Sequence, residues 1–191
     1  MEIVITYSSI YGASAYYAGL LAEKLGIQAW NLDDFTRTDA DVLIHFGGIY
    51  AGTINGLRKA SSILPDDRLF VLCTTGLADP EKEKTRNEIR ITAAKILKGR
   101  NCMIFPLRGD MDYSRLTIKH RAMMWALVKM LKAKKNRTDD DEALIGTYGG
   151  KLDFKDPEAI IPVANIIIKI MEKKMVDIKI SADNPLCSYS G

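Results

Sequence analysis

The chain has 191 residues, 47% of them hydrophobic and 27% charged, with a formal net charge of +3 and a sequence pI near 8.7. That length suits one domain with a substantial core, and so small a basic excess does not call for a nucleic-acid partner. No run of eighteen uncharged apolar residues argues for a spanning helix, and three scattered cysteines (Cys73, Cys102, Cys187) fit neither a disulfide framework nor a zinc site.

Met1 to Ile5 enters a strand pattern with no basic n-region or cleavage site, so no signal peptide is expected and the cytoplasm is the default compartment. Apolar β-rich runs then alternate with helical patterns, the mark of βαβ units on a parallel sheet. Ile3 to Tyr7 is the first expected strand, continuous and apolar as when both faces are covered. A helix follows over Ala13 to Leu25, with Tyr17, Leu20, Leu21 and Leu25 on one stripe and Gly26 as its stop. Ile27 to Leu32 is a short second strand, and Asp41 to Phe46 the third. A short helix spans Asn55 to Leu64 and ends at Pro65; Arg68 to Cys73 is the fourth strand. Pro80 to Gly99 is a long charged helix with proline at its start, and Cys102 to Leu107 the fifth strand. The last helix runs from Asp156 to Lys174, capped by Asp156, with Ile160, Ile161, Ala164, Ile168 and Met171 as its apolar stripe.

Between the fifth strand and that helix lie about fifty residues, roughly 108–155. They hold a helix from Tyr113 to about Lys135, an acidic run at Asp139 to Glu142, and at Ala143 to Tyr148 a short extra strand or an extension of the fifth. The expectation is one α/β domain over 1–176, a doubly wound five-stranded parallel sheet in the order 2-1-3-4-5 with a helical insertion at 108–155 before the last helix, and a tail over 177–191.

A doubly wound sheet binds ligands beyond the carboxyl ends of its strands, where three loops rich in Gly, Ser and Thr fall. In the first, Ser8-Ser9-Ile10-Tyr11-Gly12-Ala13-Ser14, a strand gives way to a helix whose first amides point outward and favour an anion. The serines add donors and Gly12 lets the backbone close around a phosphate. There is no Gly-x-x-x-x-Gly-Lys-Ser/Thr and no Gly-x-Gly-x-x-Gly after the first strand, so a single phosphate ester is favoured over a pyrophosphate. The bland alternative is that these serines only cap the helix.

Strand, Ser-Ser-x-x-Gly-x-Ser and apolar helix together resemble the FMN-phosphate loop of flavodoxins, with one extra residue before the glycine and Ser in place of Thr. The spacing of Ser8, Ser9, Gly12 and Ser14 is closest to the flavodoxin-type group that includes the bacterial menaquinone-dependent protoporphyrinogen oxidase, which also carries a basic, aromatic insertion ahead of its last helix. The resemblance implies a flavodoxin-like fold and FMN as cofactor. It places Gly48, Ile49, Tyr50 and Ala51 of the second loop beside the flavin ring, and Thr74, Thr75 and Gly76 of the third at its pyrimidine edge. Tyr50 is either a stacking partner for the ring or an ordinary turn residue, and Asp79 reads as a cap for the helix at Pro80.

From Arg108 through Arg137 nine Lys or Arg face two Asp, a local balance of +7, around the unbroken apolar run Ala122 to Val128. This suits residues 113–137 for an acidic redox partner or peripheral contact with the inner face of a membrane; the alternative is a helix packed on the sheet edge with solvated lysines. His45 and His120 lack ligand spacing, and His45 reads as a satisfied strand histidine. No hydrolase motif occurs. No metal site, catalytic acid or base, or nucleic-acid partner is expected, since a flavin carries its own redox chemistry. The reading is an FMN-dependent oxidoreductase resembling the protoporphyrinogen oxidase, with a tetrapyrrole-like donor and a quinone acceptor. The alternatives are a flavodoxin-type carrier between redox proteins and a non-enzymatic module with a vestigial flavin site.

Overall fold

A computed structural model describes residues 1–173 apart from residue 37. Cys187, Lys174 and the expected tail lie outside the described residues. In chain order the elements are β1 (Ile3–Ser8), α1 (Ala13–Leu25), β2 (Ala29–Asn31), β3 (Val42–Tyr50), β4 (Thr53–Ile54), α2 (Leu57–Ile63), β5 (Leu69–Gly76), α3 (Glu83–Leu97), β6 (Cys102–Arg108), β7 (Asp110–Asp112), α4 (Ile118–Ala133), α5 (Asp139–Gly146), β8 (Lys151–Asp153) and α6 (Ile161–Lys173). Five parallel strands form the sheet in the order β2-β1-β3-β5-β6, with β4 antiparallel on the end of β3, while β7 and β8 pair separately. This is the doubly wound, flavodoxin-like order expected.

The core divides across the sheet because successive strand residues face opposite layers. On one side Tyr17 and Leu21 of α1 and Val163 and Ile167 of α6 close over Ile5, Ile44, Phe46, Val71 and Phe105. On the other, Leu57 and Ala60 of α2 and Ile89 and Ala93 of α3 cover Val4, Leu43, Phe70, Leu72 and Ile104. Each fully buried large side chain contributes roughly 1.5–3 kcal/mol, so both helical layers are firmly held. Cys73 and Cys102 are buried free thiols, and burial pushes the Cys73 thiol well up.

α1 begins and ends where the sequence places it, and Gly26 closes it at φ 65, within reach of the Ala22 and Glu23 carbonyls. Several boundaries differ. β3 continues four residues past Phe46, through Gly47 and Gly48, and β5 runs on through Thr74, Thr75 and Gly76, so much of the second and third expected loops is strand. α3 opens at Glu83 rather than Pro80; Asp79 Oδ1 accepts the Glu81 amide at 2.9 Å, capping a turn ahead of the helix. The insertion helix starts at Ile118, after a single 3-10 turn at Tyr113–Arg115.

Residues 143–148 are not a strand. They lie on α5 and the turn after it, because Thr138 and Asp141 form a capping box: the Thr138 amide donates to Asp141 Oδ2 at 2.8 Å, and the Asp141 amide to Thr138 Oγ1 at 3.3 Å. Acidic residues in a first turn suit the helix dipole, which turns the acidic run into a helix start. The last helix of the sequence divides into a 3-10 turn at Pro157–Ile160 and α6; Ile160 of the turn and Val163, Ala164 and Ile167 of α6 are buried, whereas Ile161, Ile168 and Met171 of the expected stripe face outward. No helix among the described residues is long and apolar enough to cross a membrane.

Candidate functional site

The β1–α1 loop turns on Gly12, which occupies the helix N-cap at φ 111 and ψ -24, a conformation closed to most side chains. Its amide donates to Ser9 Oγ at 3.0 Å, and its carbonyl accepts the first helical bond, from Tyr16, at 2.8 Å. The amides of Ala13, Ser14 and Ala15 precede that bond, so no carbonyl of the regular helix serves them. Among the described residues no side chain caps the helix, and no acid stands in its first turn, so the end keeps its positive character. Ser9 therefore caps the loop, not the helix. Ser14 is buried and shares a 2.8 Å hydrogen bond with Thr75 Oγ1, tying α1 to the end of β5.

The second wall is the β3–β4 hairpin. Ala51 (φ 49) and Gly52 (φ 73) both take positive φ, as a two-residue type I′ turn requires, and alanine bears the strain of that position. The hairpin packs so closely that a Cβ on Gly47 would come 2.6 Å from the Asn55 carbonyl, and one on Gly48 2.5 Å from the Tyr50 ring.

His45 lies beneath it, fully buried. The Asn55 carbonyl can only accept, so Nε2 donates to it at 3.0 Å and Nδ1 accepts from Thr6 Oγ1 at 3.1 Å. It is the satisfied strand histidine expected. Burial holds its pKa down at about 4, against the Asn55 hydrogen bond, from an ordinary 6.5. Because the folded value is depressed, the unfolded chain takes up the proton first. The neutral imidazole's contribution is thus whole above pH 6.5 and shrinks as pH falls toward 4. Between pH 7 and pH 4.5 this one group should cost on the order of 2 kcal/mol of unfolding free energy. Denaturant melts at the two pH values should differ by that much more in the parent than in His45→Gln.

Between these walls and the insertion lies a cavity of about 140 Å³. It brings together Tyr11, Ala13, Ile49, Tyr50, Ala51, Thr75 and Gly76 of the expected residues. Ser8 ends β1, with its hydroxyl toward Gly56, Ser9, Ile10 and Gly12 stay on the loop, Gly48 lies buried beneath Tyr50, and Thr74 is buried off the cavity wall, its Oγ1 without a hydrogen-bond partner among the described residues.

The remaining wall comes from the insertion, which the loop motifs do not reveal. Met111, Leu116, Met123 and Met124 supply apolar surface, and Asp110 and His120 polar groups. His120 Nδ1 shares a hydrogen bond with the Tyr11 hydroxyl, and its ring lies nearly parallel to Tyr50, 6° between planes and 5.9 Å between centroids. Tyr11 meets Tyr50 edge-on at 5.9 Å. Burial first, then the nearby Tyr11 and Asp110, push the Tyr50 phenol up to about 12, so it stays protonated. Only a basic, apolar insertion of helical pattern was legible; that the first turn of α4 would carry His120 onto Tyr50 is a long-range contact with no local signal.

Away from the cavity α4 buries only Val128. Its outward face exposes Ile118 (87%), Trp125 (55%) and Met130 (63%), with the Lys129 ammonium 4.9 Å from the centre of the Trp125 ring. The helix is therefore not simply packed on a sheet edge. Among the described residues no three His, Cys, Asp or Glu side chains converge as they would around a metal ion.

The sequence matches the family described as Flavodoxin domain over residues 4–138. No curated protein matches it. Among solved structures, the metal-soaked Flv1 flavodiiron core from Synechocystis sp. PCC6803 is 13% identical, covers 56% of this chain and has a TM-score of 0.37. The chain spans 29% of the length of that protein. The apo form of NADH:FMN oxidoreductase (EMOB) is 16% identical over 87% of this chain and 90% of its own, with a TM-score of 0.43.

Proposed function

We propose, for a chain that belongs to the flavodoxin-domain family, that it binds FMN at the β1–α1 loop and the cavity beside it and works as an oxidoreductase. The observation that carries this reading is the N-terminus of α1, with no side-chain cap among the described residues, three amides ahead of the first helical bond and no carboxylate in its first turn. A phosphate monoester supplies what that end lacks. Ser8, Ser9, Ile10, Tyr11, Gly12, Ala13 and Ser14 form the phosphate side of the site. Gly48, Ile49, Tyr50, Ala51, Thr75 and Gly76 form the ring side, and Thr74 supports the strand beneath it.

The residues present fit such a group in a second respect. Tyr50 offers a flat apolar face, and the planar ring on it now is the His120 imidazole; a larger aromatic ring stacked on that face displaces it. When bound, the flavin supplies electron transfer. The chain's own groups bind the phosphate, orient the ring and keep water from it, the last through the methionine and leucine wall of the insertion.

That wall is what favours an enzyme over a protein-to-protein carrier, since it lines the cavity with surface for a small apolar molecule. A donor and acceptor of the tetrapyrrole and quinone kind, as in the protoporphyrinogen oxidase group, suit such a wall. The exposed Ile118, Trp125 and Met130 among lysines suit the anionic membrane surface where a quinone resides. Under anaerobic conditions a reduced tetrapyrrole should bleach the flavin absorbance, and menaquinone in anionic vesicles should restore it faster than menaquinone in neutral ones. Bleaching by no small donor, with rapid exchange to a redox protein instead, would favour the carrier.

A further inference from the structure

We propose that Asp110 is the hydrogen-bond acceptor for a ring N–H of the molecule held in the cavity, and thus determines which ring the site accepts. The identification of that N–H as a flavin imide rests on the FMN reading; the acceptor itself follows from the structure.

Asp110 opens β7 directly after Gly109, and Gly109 is wedged where the site converges. Its amide donates to the Gly76 carbonyl at 2.8 Å, and a Cβ there would come 3.3 Å from Cβ of Ala13. The aspartate is thereby carried to the wall formed by the start of α1 and the end of β5. Its side chain is only 12% exposed. Oδ2 lies 2.8 Å from Lys155 Nζ, but Lys155 also serves Asp153 at 3.1 Å, so two carboxylates share one ammonium. Oδ1 is buried with no hydrogen-bond partner among the described residues.

A carboxylate oxygen withdrawn from water without a donor is costly; Asp110 lines the cavity, so a bound molecule that brings a donor to this residue accounts for the orphan. The rest of the wall fixes what kind of donor. Tyr50, Leu77, Met111 and Leu116 ask for a flat, largely apolar body, and a negative or acceptor-only edge would be repelled by Oδ1. An oxidised isoalloxazine presents one ring N–H, its imide. The threonine hydroxyls expected at that edge are placed differently: Thr75 Oγ1 is engaged with Ser14, and Thr74 is off the cavity wall.

The test uses the full chain and two phosphate-free rings, lumiflavin and 3-methyllumiflavin, titrated by fluorescence. The parent should bind lumiflavin at least tenfold more tightly than its N-methylated analogue. Asp110→Ala should bring that ratio close to one. Lys155→Met, which breaks the ion pair but leaves Oδ1 in place, should keep it. A ratio near one in the parent, or a ratio unchanged in Asp110→Ala, overturns the proposal. FMN binding no tighter than lumiflavin would remove the phosphate loop from the site and leave the Asp110 result standing, whereas no binding of any flavin brings down both.

Discussion

Replacing Gly12 with valine is expected to lower affinity for FMN at least tenfold. The cause is the backbone, because a Cβ built on Gly12 meets nothing within 4 Å. At φ 111 and ψ -24, however, a β-branched residue is strained by roughly 1–3 kcal/mol. The loop relieves that strain by rotating to negative φ, which swings the amides of Ala13, Ser14 and Ala15 away from a common focus. Tenfold corresponds to about 1.4 kcal/mol, within the strain available. Gly19 provides the control, since a Cβ there also meets nothing, but within regular helix and without positive φ. Gly19→Ala should leave affinity unchanged and stabilise α1 slightly. Flavin fluorescence titrations of the two variants read the difference directly; equal affinities would mean that this loop does not hold the phosphate.

Gly56→Ala should destabilise the fold strongly. Gly56 caps α2 at φ 74, where alanine costs about 1–2 kcal/mol. Its added carbon would overlap Ser8 Oγ outright, and would stand 2.8 Å from Ser8 Cβ and 2.9 Å from Nε2 of the buried His45. His45 cannot retreat without losing its bonds to Thr6 and Asn55, so overpacking adds about 1–3 kcal/mol. The sum of roughly 2–5 kcal/mol should lower Tm by on the order of 10 °C. Gly99 has a similar φ of 85 with nothing within 4 Å of its Cβ, so Gly99→Ala should show the strain alone. Calorimetric midpoints that fall equally in both variants would contradict the tight junction of Ser8, His45 and Gly56.

The sheet was legible because its strands are covered on both faces and read as unbroken apolar runs, and α1 because a glycine stop follows a regular stripe. Strand ends were not. Gly47 and Gly48 look like a loop, yet they are glycine because a neighbouring carbonyl and the Tyr50 ring pass too close for any side chain, and β3 runs straight through them. Residues 143–148 look extended until Thr138 and Asp141 are seen to nucleate a helix ahead of them. At the site, local signals marked the three loops at the strand ends. They could not mark Asp110 or His120, which reach the cavity through β7 and α4 and whose meaning depends on Lys155, Tyr11 and Tyr50, distant in sequence.

The most direct measurement is the visible spectrum of the purified chain, followed by titration with FMN and with riboflavin. A yellow protein holding one FMN per chain, and binding FMN far more tightly than riboflavin, is the expected result, because the amides at the start of α1 grip the phosphate. A colourless protein whose spectrum and stability ignore added FMN would contradict the account.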